Sequence, residues 1–304
     1  MTPSTRSGPA PAAARPDRPA GPARALSDLA AAASSEWVKL RSVRSTWWGA
    51  ALALGLSATV APLTAVATVG NMQQDRIPSA DVPASEMAVY AAVWAAQFAV
   101  IALALPVMTS EYSSRSVHPA LQAVPARVRL LAAKTAALMS FVFACGLVTG
   151  TAGTLTAHLV MLHPLIEGYG TLDPAEAAAD VVRLSAYLAL VAALTLGAGT
   201  ALRSAAAALA AVSALLFALP AVLVLLGGRT GVYVAERLPL SAGVSFVDRA
   251  FVMGRSEAAL PPGAGGMVLL CWAAAALAAG ALVLTRRDAG DRYAGYGERA
   301  WTRR

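Results

Sequence analysis

The residues of this chain best suited to metal or nucleophilic chemistry are three histidines and two cysteines, and their placement argues against both uses. His158 and His163 stand five apart, about 140° around a helix, so they do not share a face. Neither belongs to an H-E-x-x-H frame and no cysteine lies near them, so they read as an interfacial pair closing an apolar segment. Cys145 and Cys271 both fall inside apolar runs and read as small buried hydrophobes, not as a disulfide or a zinc site. Ser57, Thr59, Thr149, Thr151, Thr154 and Thr195 lie in runs that offer no His or Asp to activate a hydroxyl. Helix packing and hydrogen bonding back to carbonyls are the roles left to them. A phosphate cradle needs glycine amides and a lysine at fixed spacing, but Lys134-Thr135 follows Ala132-Ala133 and Lys39 precedes Leu40. The expectation is a chain without a catalytic centre, metal or bound nucleotide of its own.

The elements that position these residues are six apolar runs: 47–69, 87–108, 135–157, 184–202, 204–227 and 265–285. Each has 19 or more residues, and a helix needs roughly 20 to cross a hydrocarbon core about 30 Å thick. Unpaired backbone amides are too costly in lipid for such runs to be anything but helices. With 57% hydrophobic and 13% charged residues, the chain is expected to be an all-α, polytopic integral membrane protein. None of the six runs has a charged residue in its middle, which is where ion-coupled carriers hold their ionisable groups. Gln97, halfway along the second run, is the most polar central side chain and, with Gly146 and Gly150, a candidate for the pore or for helix packing, an interhelical hydrogen bond being its purely structural role. Any transport energy must then arrive from outside the membrane. Gly146-x-x-x-Gly150, followed by Gly153 and Thr154, and Gly197 with Gly199, would let helices approach closely.

Charge gives the orientation. The net charge of +7 could suggest nucleic acid, but the basic residues crowd beside the runs and do not interleave with stacking aromatics. That pattern points to anionic headgroups and to topology. Placing both termini in the cytoplasm puts eighteen Lys and Arg inside and six outside, so a multi-pass plasma-membrane protein with both ends cytoplasmic is expected. Ala65-Val66-Ala67 imitates a signal-peptidase site, but the region before it and the apolar stretch itself are too long for a signal peptide.

Outside the runs, residues 1–25 carry six prolines among Ala, Ser, Gly and Arg and read as a disordered tail. Over 26–46, Leu26, Leu29, Ala33, Trp37, Leu40 and Val43 recur at steps of three and four, a stripe that continues to Trp47. Glu36, Lys39, Arg41 and Arg44 lie off this stripe. This predicts an amphipathic interfacial helix, N-capped by Ser27, that turns into the bilayer at Trp47-Trp48. Pro119 and Pro125 bracket a short surface helix between the second and third spans. Leu202-Arg203-Ser204 forces a tight hairpin, and in the long loop 228–264 a short helix carrying Val244, Val247 and Phe251, with Asp248 and Arg249 off its face, competes with plain loop. The six-span domain is expected to end near 287, with 288–304 as a basic cytoplasmic tail.

Three stretches carry a family resemblance. The run Ser35-Glu36-Trp37-Val38-Lys39-Leu40-Arg41-Ser42-Val43-Arg44-Ser45-Thr46-Trp47-Trp48 resembles the entry of actinobacterial type-2 ABC export permeases. Ser110-Glu111-Tyr112, with Leu121, Val124-Pro125, Arg127 and Ala133-Lys134, is similar to that family's segment after the second helix. Leu238-Pro239, Ser241-Ala242-Gly243, Leu260-Pro261-Pro262 and Trp272 through Arg286-Arg287-Asp288-Ala289 are similar to its ending. The resemblance implies a six-helix subunit that pairs with a second permease chain, the same or different, and docks a separate soluble ATPase that carries the ATP and Mg. On that basis 26–44 would be the elbow helix, with Glu36, Trp37, Lys39, Leu40, Arg41 and Arg44. The helix after Glu111 would be the coupling helix, with Glu111, Tyr112, Arg115, Pro119, Leu121, Pro125 and Arg127 at the ATPase. Arg115 replaces a glycine usual in the family, which alters either the turn or the docking charge. The competing expectation is a membrane anchor, immunity or sensor protein that recruits a soluble partner and transports nothing. Membrane lipid is a partner on either reading, and nucleic acid on neither.

Overall fold

The computed structural model describes residues 22–77, 81–108, 127–166, 168–249 and 259–301. Among them, six helices are long and apolar enough to cross a membrane. In chain order, α1 (Pro22–Ser42) precedes the first of these, α2 (Arg44–Gln74). The next are α3 (Ala84–Met108), α4 (Arg127–Met161), α5 (Pro174–Leu202) and α6 (Ala205–Leu226). Two short helices follow, α7 (Gly228–Ala235) and α8 (Pro239–Val247), before α9 (Pro262–Trp301). The expected all-α architecture has one small addition: β1 (Val82–Pro83) pairs in parallel with β2 (Gly170–Thr171) and ties the entry of α3 to the entry of α5.

Five of the six spanning helices extend beyond the apolar runs, because their ends carry polar residues that a hydropathy reading discards. At α5 the helix starts at Pro174, ten residues before the apolar run. Asp173 is its N-cap and accepts hydrogen bonds from the amides of Ala175 (2.8 Å) and Glu176 (3.3 Å). Proline at the first helical position lacks only an amide that would be unpaired there anyway. The basic stretch expected as a tail after 287 continues the backbone of α9 to Trp301. At the other end, Ser27 is inside α1 and not its N-cap, since the helix runs from Pro22.

The break between α1 and α2 falls at Val43, whose backbone is extended (φ −86°, ψ 120°), four residues before Trp47. Arg44 therefore begins the spanning helix and does not belong to α1. The indole of Trp47 reaches back to the Arg41 carbonyl (2.9 Å), satisfying one of the acceptors that a helix end leaves open. The α5–α6 hairpin is as tight as expected: Arg203 takes the left-handed conformation (φ 55°), and Ser204 N-caps α6 by accepting from Ala207 N.

The bundle is built around α3 and α5, the most deeply enclosed spans, while α6 is the least covered. α5 packs against α4, α9 and α3, and α2 lies along α4 and α3. Small residues set these approaches. A Cβ at Gly146 would stand 2.8 Å from Ser185 Cα, and one at Gly150 would be 3.3 Å from Leu184 and Val181, so both glycines seat α4 on α5. Gly197 meets the backbone of α9 at Ala276 and Leu277. Single π-helical turns interrupt α3 at Ala92–Ala96 and α6 at Ala214–Ala218. Beside them, Phe98 stacks on Phe217 (4.9 Å, 12°) and Trp94 leans on the same ring.

Candidate functional site

The amino-terminal end of the bundle carries a buried ion cluster. Glu36 lies three residues after Ala33 and four before Leu40, which places it on the packed face of α1, where it is 4% exposed. The expectation that Glu36 lies off that face is thus corrected. Its Oε2 receives a hydrogen bond from Lys134 Nζ (2.6 Å) and its Oε1 from Lys39 Nζ (2.5 Å). Lys134, only 2% exposed, is on the second turn of α4. Burial alone would raise the Glu36 carboxyl, but the hydrogen bonds from Lys134 and Lys39 outweigh it and hold the group below its ordinary value. Alongside, Trp37 meets Phe141 of α4 edge-on (5.9 Å) and Leu40 is buried in the main core. The clamp thus joins two of the stretches that carry the family resemblance, across 98 residues of chain.

The residues between the second and third spans stand differently. Glu111, Tyr112, Arg115, Pro119, Leu121 and Pro125 lie outside the described residues, while Arg127 is the first residue of α4. What is visible is the anchorage of that segment. Its downstream end enters α4 two helical turns before Lys134, and its upstream end leaves α3 at Met108, itself buried in the core.

Halfway through the bundle, Gln97 is fully buried. Its Oε1 accepts from the hydroxyl of Tyr187 on α5 (2.6 Å), and its amide nitrogen donates to the Val93 carbonyl within the π-turn. This is the interhelical bond expected of Gln97, with a partner that the sequence did not single out. Gly243 of α8 faces the Tyr187 ring so closely that a Cβ there would overlap it, so α8 reaches into the bundle from the loop 228–264. The described residues of that loop therefore include two helices, and most of α8 is buried, while Phe251 lies outside the described residues. Tyr187→Phe leaves the buried Gln97 oxygen without this donor and should lower stability by about 1–2 kcal/mol. Combining it with Gln97→Leu should recover most of the loss, as read by thermal unfolding in detergent.

At the far end, Arg249 follows α8, whose C-cap Asp248 takes a positive φ of 66°. The Arg249 side chain bridges Asp180 (Nε 2.9 Å, Nη2 2.5 Å) and Glu176 (Nη2 2.5 Å), both on α5. Ser85 of α3 donates to the same Asp180 oxygen (2.7 Å). Burial alone would lower the Arg249 guanidinium, but its two carboxylate partners raise it overall. The arrangement locks the end of α8 over the entries of α5 and α3. Asp180 and Glu176 are therefore residues of α5 held by Arg249. His158, on the last turns of α4, and His163, in the turn beyond, stand apart from all three groups; His163 Nδ1 accepts from the Leu165 amide (3.3 Å).

Glu36 could have been found from its three- and four-residue spacing to Ala33 and Leu40, and Asp180 from the Asp173-Pro174-x-Glu176 helix start. No local signal gives Lys134 or Arg249 a partner 98 or 69 residues away.

The fold and these groups define a polytopic, multi-pass helical membrane protein, a bundle whose architecture accords with a transport-related role. Compared with protein-family models, curated proteins and solved structures, the chain finds no match.

Proposed function

We propose that the chain is the permease subunit of an ATP-binding-cassette exporter, moving a hydrophobic or amphiphilic substrate across the cytoplasmic membrane with a separate ATPase subunit. The observation that carries this reading is the Glu36–Lys134 clamp, which makes α1 and the base of α4 one mechanical unit. The segment 109–126 enters that unit directly. Force applied to it by a docked ATPase would move α1 and α4 together, while the outer lock on Asp180 holds the opposite end until the spans rearrange. The apolar spans, with Gln97 engaged by Tyr187, suit an uncharged or amphiphilic cargo better than an ion. Both termini would face the cytoplasm, and a second permease chain would complete the path. ATP and Mg would reside on the partner.

The test is coupled ATP hydrolysis by the chain assembled with its soluble ATPase. Glu111→Ala and a Pro119→Ala change should each reduce it about fivefold or more, the loss expected of an interface position worth above 1 kcal/mol, while membrane insertion is unchanged. Full coupling in both variants would remove the docking role from this segment. ATP-dependent flux into vesicles separates an exporter from an anchor or sensor that merely recruits the same ATPase.

A further inference from the structure

A groove of about 480 Å³ opens on the flank of the bundle between α1, α2 and α4, on the side of the Glu36 clamp. Its upper wall is aromatic: Trp37 and Trp47 each meet Phe141 edge-on at 5.9 Å, which fixes all three rings in place. Below them, Leu54 and Ala51 of α2 face Ala144 and Val148 of α4. Seven residues separate Trp47 from Leu54, so at the helical rise the groove descends about 10 Å along α2. That is enough for the upper part of an acyl chain, and in a bilayer an apolar groove open to the side is filled by one.

The rim supplies the second half of a site. Arg41 lines the groove, and its side chain is exposed. Its backbone carbonyl is occupied by the Trp47 indole, and its guanidinium enters no ion pair among the described residues. Arg44 is exposed three residues further along the chain, beyond the break at Val43, while the carboxylate nearest in sequence, Glu36, is already engaged by Lys134 and Lys39. An uncompensated guanidinium above an apolar slot matches a phosphate above a hydrocarbon chain, with the planar donor fork that phosphate oxygens accept.

We propose that this groove is a binding site for one anionic phospholipid of the surrounding bilayer, its acyl chain lying between α2 and α4 and its phosphate on Arg41. The site is independent of the export reading, since it requires only that the bundle sit in a membrane. Bound there, the lipid fills the gap beneath α1 and holds the α1–α2 break at Val43 against the headgroup layer.

Native mass spectrometry of the full chain in detergent, titrated with phosphatidylglycerol or phosphatidylcholine of identical chains, tests it. The unmodified protein should retain one phosphatidylglycerol about fivefold more strongly than phosphatidylcholine, the preference expected for one basic residue at a charged headgroup. Arg41→Gln should bring the two lipids to equal retention. Ala144→Phe, which fills the groove from an exposed position, should reduce both. Glycerol phosphate without chains should not compete. Equal retention of the two lipids by the unmodified chain, an undiminished preference in Arg41→Gln, unchanged binding in Ala144→Phe, or displacement by glycerol phosphate would each overturn the assignment.

Discussion

Glu36→Ala should lower the stability of the bundle by about 3 kcal/mol, because it removes the counter-charge from an ammonium that is 2% exposed. The measurement is the thermal midpoint in detergent or nanodiscs. The double variant Glu36→Leu, Lys134→Met should regain most of the loss, since a buried pair exchanged for apolar side chains of similar volume costs little. A double variant as unstable as the single one would mean that the damage comes from lost packing of α1 and not from charge. The same pair sets a pH dependence. The folded Glu36 carboxyl titrates below its ordinary value of 4.5, so the folded protein takes up that proton less readily than the unfolded chain. The contribution is complete above about pH 4.5 and is lost as the pH falls through the folded value. The double variant should lack this acid-side loss.

Gly197→Leu should be the most disruptive change at a helix contact. The nearest atoms to a new Cβ are the carbonyl carbon of Ala276 and the amide nitrogen of Leu277, each 2.5 Å away, and both are backbone. No side chain can rotate aside, so α5 and α9 must separate along their length. A cost of about 3 kcal/mol or more is expected, at the upper end of overpacking effects. Gly150→Ala gives the contrast: its Cβ would meet the side chains of Leu184 and Val181 at 3.3 Å, which can shift by a few tenths of an ångström. Equal midpoints for the two variants would show that the close approach at Gly197 does not constrain the bundle.

The spans were legible because a run of 19 or more apolar residues has one solution in lipid, and the hairpin at Arg203 because two residues leave no other path. The glycine pattern in the third span was legible for the same kind of reason: Gly146 and Gly150 sit one turn apart and seat one neighbour. Helix ends were poorly legible. Hydropathy stops where polar residues begin, yet Asp173, Pro174 and Glu176 start a helix ten residues before the apolar run. The Trp47-Trp48 pair drew the expected membrane entry towards itself, whereas Trp47 acts by reaching back to cap α1 at Arg41. The charged groups were the hardest to place. A carboxylate on a helix that lies against another helix is buried or exposed according to its partner, and Glu36 and Asp180 find theirs in distant chain. The short helix offered at Val244 and Val247 is α8, but its burial was not legible, because it depends on Tyr187, Gly265 and Gly266, which only the folded bundle brings together.

Under the proposed function, this membrane bundle has no engine of its own and is driven through the segment between α3 and α4. The direct measurement is ATP hydrolysis by complexes isolated from native membranes through a tag on this chain, before and after the soluble subunits are stripped away. A co-purifying ATPase in near-stoichiometric amount is expected, with hydrolysis that disappears on stripping and returns when that subunit is added back. Hydrolysis that stays with the stripped chain, or a chain that isolates with no ATPase at all, would contradict the proposed function.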